Sequence, residues 1–196
     1  KLTQLAKQES TTLFTLLLTS FQTLLHRYSG QDEIRVGTPV ANRNRLETEG
    51  LLGFFVNTQV LRADFDNDLT FKQLLQQVKQ TTLDAQDNQD LPFEQLVESL
   101  KVERSLSHTP LFQAMFNYLT DKGSDKEEQL VSLDGLDVEG VNWEHNTAQF
   151  DLTLDISEHE TGISASFNYA TDLFDESTIE RLVKHWQYLL QEIVTK

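Results

Sequence analysis

GLLGFFVNTQVLR, residues 50–62, gathers Leu, Phe and Val around Gly50 and Gly53 and then sets Asn57 and Thr58 into the run. Its aromatic and β-branched content predicts a strand. The residues before it supply a partner: IRVGTPV, residues 34–40, is short, β-rich and closed by Pro39, and the polar stretch ANRNRLETEG follows it as a loop. The amide of Asn57 sits awkwardly in such a strand, because a buried amide without partners costs roughly 1–3 kcal/mol. Either it bonds nearby backbone and fixes a bend, or it faces a cleft or a neighbouring lobe. Asn117, set into LFQAMFNYL (residues 111–119), raises the same question.

The rest of the chain alternates helix and strand signals. Phe14, Leu17, Leu18, Phe21, Leu24, Leu25 and Tyr28 recur every three or four residues with Gly30 behind them, which predicts an amphipathic helix over 12–28. Thr70 and Gln73 have capping-box spacing ahead of a second helix carrying Phe71, Leu74, Leu75, Val78 and Ala85 on one face. Asp90 and Pro92 open a third, short helix with the stripe Phe93, Leu96, Val97 and Leu100. A fourth follows Asp175, with Phe174 and Ile179 at the spacing of a hydrophobic staple and a stripe through Leu182, Val183, Trp186, Leu190 and Ile193. LFQAMFNYL alternates as a strand, and FDLTLDI with GISASFNY, joined by SEHET, predicts an antiparallel hairpin. The charged run TDKGSDKEEQL reads as a mobile loop. About four helices and five strands make an α/β layer fold in one unit, with a mixed, mostly antiparallel sheet.

Composition removes several classes of function. The 196 residues carry 31 acids against 16 bases, a net charge of −15 without a Lys/Arg cluster, which disfavours nucleic acid and anionic membrane as partners. No apolar run reaches the roughly 20 residues of a bilayer span. With no cysteine there is no disulfide, thiolate metal site or Cys nucleophile, and the cytoplasm is the default location. The five histidines, at 26, 108, 145, 159 and 185, stand apart and form no metal-ligand spacing; His26 and His185 read as polar edges of packed helices and His159 as part of a turn. Neither a Gly-rich phosphate loop nor a G-x-S-x-G elbow is present, and the acids read as solvated faces rather than an acid–base pair. Arg43 and Arg45 stand out as cations in an acidic chain and are candidates for a phosphate-bearing ligand.

Three of these stretches together resemble the condensation domains of nonribosomal peptide synthetases. GLLGFFVNTQVLR is similar to the family's fifth core motif, NQDLPFEQLVESL (residues 88–100) to its sixth, and RSLSHTPLFQAMFN (residues 104–117) to its seventh, in the family's order. Asn88 departs from the pattern, which usually has His there. The resemblance covers nearly the whole chain and implies the C-terminal, acceptor-side lobe of a chloramphenicol-acetyltransferase-like fold. It also implies a partner N-terminal lobe bearing the catalytic H-H-x-x-x-D-G motif, which these 196 residues lack. No catalytic residue and no directly bound cofactor is therefore expected in this chain, which alone should dock but not condense.

Within a whole domain the resemblance implies peptide-bond formation between substrates tethered to phosphopantetheine on peptidyl carrier proteins, beside an adenylation domain, in antibiotic-type peptide biosynthesis. It places Asn117, Tyr118 and Asn57 on the tunnel side, Arg43 and Arg45 toward a carrier protein or its phosphopantetheine, and a crossover to the other lobe at about 124–149. FNYL, residues 116–119, is closer to the sister epimerization domains, and a non-catalytic interaction module is a further alternative.

Overall fold

The computed structural model describes residues 1–43, 46–65, 69–101, 109–120, 147–159 and 162–195. The fold is built around α2 (Leu13–Ser29), whose N-terminus is capped by the Thr12 hydroxyl accepting from the Thr15 N–H and whose end is turned by Gly30 at φ +67°, a conformation glycine adopts without strain. Leu16, Leu17, Leu18 and Phe21 on this helix are fully buried. The hydroxyls scattered through its apolar run are accommodated locally: Thr19 donates to the Thr15 carbonyl and Ser20 to that of Leu17.

Among the described residues five strands form one mixed sheet in the order β2-β1-β3-β4-β5. They are β1 (Glu33–Val40), β2 (Asn57–Asp64), β3 (Ala114–Thr120), β4 (Leu152–His159) and β5 (Gly162–Tyr169). β1 with β2 and β4 with β5 are antiparallel, while β3 runs parallel to both its neighbours. The four expected helices are α2, α4 (Phe71–Asp87), α5 (Phe93–Ser99) and α6 (Glu176–Ile193); two short ones, α1 (Leu2–Gln8) and the single turn α3 (Leu46–Glu49), join them.

Strand alternation divides the sheet into unlike faces. Ile34, Val36, Leu61, Ala63, Phe116, Leu152, Leu154 and Ile156 share one face and build the core with α2, α4 and α6. The Trp186 indole on α6 seals it, donating to Ser20 Oγ at 2.9 Å and meeting the Phe167 ring edge-on. The capping box at Thr70 and Gln73 forms as expected, and Phe174 and Ile179 both pack on the core at the start of α6.

The strand expected across 50–62 is only half present. β2 starts at Asn57, and Leu51, Leu52, Phe54 and Val56 lie exposed ahead of it. Pro39 lies inside β1 rather than ending it, opposite Thr58 and beyond the two residues that pair with β3, so its missing N–H leaves no gap in the ladder. His159 is the last residue of β4, paired with Gly162, rather than part of a turn. Of the loop expected from TDKGSDKEEQL, Thr120 is the last residue of β3 and the rest lies outside the described residues, as does most of the crossover at 124–149, of which 147–149 are exposed.

Candidate functional site: the open face of the sheet

On the face opposite the core, register aligns Asn117 with Asp155 and Ser166, Met115 with Thr153 and Asn168, and Leu119 with Ser157 and Ser164. The Asn117 Nδ2 donates to Asp155 Oδ1 at 3.1 Å. Toward β2 the same face is ion-paired, with Arg62 bridging Glu33 at 3.4 Å and Asp64 at 3.0 Å and Arg35 also on Glu33. Between these polar zones Phe112, 2% exposed, lies on Gly37, where an added Cβ would come within 2.4 Å of its ring; Phe93 and Phe150 pack beside it. The face thus offers hydroxyls, amides and carboxylates around one aromatic plug, a surface suited to orienting a polar chain by hydrogen bonds.

Tyr118 does not share that face. As the neighbour of Asn117 in a strand it points the other way, meets Phe14 edge-on at 5.7 Å and donates its hydroxyl to Glu158 Oε2 at 2.5 Å. Burial, then the hydrogen bond and negative charge of Glu158, hold the phenol well above its ordinary pKa. It is therefore a poor proton donor to substrate and a tight link between β3 and β4.

Asn57 stands two strands from Asn117 and ties the chain to the start of α5. Its Nδ2 donates to the carbonyls of Gln89 (3.1 Å) and Leu91 (2.8 Å), and its Oδ1 accepts from the Phe93 N–H at 3.1 Å. That N–H belongs to the first turn of α5, whose N-cap residue Pro92 offers no side-chain hydrogen bond. Of the two sequence readings of Asn57, backbone bonding is the one that forms, although to a segment more than thirty residues away rather than to a local bend. Gln59 supports the same corner by donating to the Ala85 carbonyl. Asp90, expected to open α5, makes no cap, since the helix starts at Phe93 with Pro92 as its N-cap.

Arg43 turns into its own loop, donating to the carbonyls of Thr48 and Leu51 and lying over the Phe55 ring; Arg45 lies outside the described residues. The site residues expected from sequence therefore occupy separate places: Asn117 on the open face, Tyr118 beneath it, Asn57 at the α5 corner and Arg43 in the loop before β2. Sequence reading missed Asp155 and Glu158 as partners of Asn117 and Tyr118. In FDLTLDI the alternation of Phe150, Leu152, Leu154 and Ile156 with Asp151, Thr153 and Asp155 puts Asp155 on the polar face, but the parallel register that sets it beside Asn117 is not encoded locally. Among the described residues no cluster of His, Asp or Glu is arranged to hold a metal ion, and no helix is long and apolar enough to cross a membrane.

Comparison with known proteins adds a family to this geometry. The family model for the condensation domain matches residues 1–196. A linear gramicidin synthase protein of Brevibacillus parabrevis is 47% identical over 196 residues, which is 100% of this chain and 2% of that protein. Gramicidin S synthase 2 of Aneurinibacillus migulanus is 44% identical over 195 residues, 99% of this chain and 4% of that protein. Among solved structures, a four-domain nonribosomal peptide synthetase in its holo form, bound to AMP and glycine, superposes with a TM-score of 0.87 at 31% identity, covering 98% of this chain and 15% of that one. The chain spans only a small part of the length of these relatives, yet the match runs end to end: it belongs to the condensation domain family.

Proposed function

We propose that the chain is the C-terminal, acceptor-side lobe of a condensation domain in a nonribosomal peptide synthetase. Joined to its N-terminal lobe, it forms an amide bond between a donor thioester and an acceptor amine, each carried on the phosphopantetheine arm of a peptidyl carrier protein. The C–N bond forms as the C–S bond breaks, the donor's thiol leaves, and a base from the companion lobe takes the amine's proton. This lobe's share is to orient the acceptor on the open face, where Asn117 is held by Asp155. The adenylation domain that loads the carriers adjoins it in the parent synthetase, in the cytoplasm.

The observation that carries this reading is the ordered run of three signature stretches, at 50–62, 88–100 and 104–117, in a chain with no two adjacent histidines. Two features support it. Nearly all of this chain aligns with only 42–44% of several solved chains of the same fold, among them two X-domain structures from teicoplanin biosynthesis and a Monacolin K synthase condensation domain. The sheet also presents a polar face that α2, α4 and α6 do not cover.

The test is reconstitution, with donor-loaded and acceptor-loaded carriers and product read by mass spectrometry on the acceptor carrier. Product is expected only when both lobes are present; product from this chain alone overturns the assignment. Inversion at the donor Cα on a single carrier, without amide formation, would instead favour the epimerization reading of FNYL.

A further inference from the structure

The Arg43 side chain reaches into its own loop. One Nη donates to the carbonyls of Thr48 and Leu51, the latter at 2.8 Å, and the other reaches the Gly53 carbonyl at 3.5 Å. The guanidinium carbon lies 4.3 Å from the centre of the Phe55 ring, and that ring packs so close to Gly53 that a Cβ there would sit 3.1 Å from it. Among the described residues, 51–56 have no strand partner, so their carbonyls depend on such donors. Opposite this strut, Leu52 and Phe54 are 102% and 91% exposed. A flexible loop would fold such side chains back; this one is braced with its cation inside and its two large apolar groups outside.

We propose that Arg43 is a positioning residue that pre-shapes residues 48–55, so that Leu52 and Phe54 project as a fixed apolar pair into the companion lobe. The inference rests on the two-lobe reading for the occupant and on the loop's own geometry for Arg43. The companion lobe is the occupant because nearly all of this chain aligns with less than half of several solved chains of the fold, leaving further protein to cover what a single lobe exposes. Apolar surface continues from the loop: the half-exposed Leu91 lies beside it, its carbonyl held by Asn57. A planar fork is required, since a lysine ammonium keeps the charge but cannot span three carbonyls while stacking on a ring.

The experiment compares Arg43→Lys and Arg43→Gln with the unaltered chain by the rate of chymotryptic cleavage at residues 51–55, with thermal unfolding as the check on the global fold. Both substitutions should accelerate cleavage about tenfold or more, the equivalent of losing one charge-assisted hydrogen bond. Cleavage of Arg43→Lys at the unaltered rate would mean that charge alone suffices and would overturn the role. If either Arg43 variant fails to fold, Phe55→Leu, which removes only the stacked ring, should still accelerate cleavage, and an unaltered rate there also counts against the strut. The outward half is read separately, by titrating the companion lobe against the Leu52→Ser/Phe54→Ser variant. Affinity should fall at least about tenfold; unchanged affinity would overturn the companion lobe as occupant. Failure of the unaltered chain to bind the companion lobe would sink the two-lobe reading and its occupant while leaving the cleavage result to decide Arg43.

Discussion

The two faces of one sheet follow different rules. Beneath α2, α4 and α6, consecutive strands contribute Val36, Leu61, Phe116 and Leu154, all essentially without solvent exposure. On the other face the same strands contribute Arg35, Arg62, Asn117 and Asp155. The first face is explained by burial within this chain. The second is over-furnished with directional groups for a surface that meets only water, and it teaches that the chain's own core does not account for its whole sequence.

The sharpest way to break this contrast is at two neighbouring residues. Phe116→Ala should lose about 3–5 kcal/mol of unfolding free energy in denaturant titration, as fully buried aromatic truncations do. Asn117→Ala should lose less than about 1 kcal/mol while lowering amide formation in the reunited domain. Comparable destabilisation by both, with specific activity unchanged for Asn117→Ala, would make the open face ordinary core.

A middle-sized effect is expected at the α5 corner. Asn57→Ala removes two donated bonds and one accepted bond and should cost about 1–3 kcal/mol, with amide exchange accelerating in residues 89–97 while α2 stays protected. Equal acceleration everywhere would mean that Asn57 supports the whole fold rather than this corner.

That residue also marks the limit of reading the sequence alone. The amphipathic helices, the capping box at Thr70 and the β4–β5 hairpin follow from spacing within ten or twenty residues, and all appear. The half-strand at 50–56 misled because Leu, Phe and Val were weighed for β propensity without a partner, and propensity yields to context. The bonds of Asn57 to residues 89–93 and of Asn117 to Asp155 join distant segments through chain topology, which no local pattern contains. Arg43, an isolated cation in the sequence, also bonds the carbonyls of Thr48 and Leu51 in its own loop, contacts that the folded loop sets rather than any residue pattern.

The smallest effect belongs to Tyr118. Burial and Glu158 raise its folded pKa above the unfolded value of about 10. The folded chain therefore keeps the proton longer, and the stability this contributes is complete below about pH 10 and lost as pH rises through the folded value. Tyr118→Phe should flatten the alkaline limb of the stability curve and, by removing the hydrogen bond to Glu158, lower stability near neutrality by about 1 kcal/mol; an identical alkaline limb would remove Tyr118 as the source of that dependence.

The proposal that the open face orients the acceptor requires it to lie against the companion lobe, which is tested most directly by footprinting, since this chain has no native cysteine. Single variants Ser166→Cys, on the open face beside Asp155, and Ser177→Cys, exposed on α6, would be labelled with a maleimide with and without the companion lobe. The companion lobe should slow labelling at position 166 and leave position 177 unchanged. Equal labelling at position 166 in both conditions, with the lobes demonstrably bound, would contradict the claim.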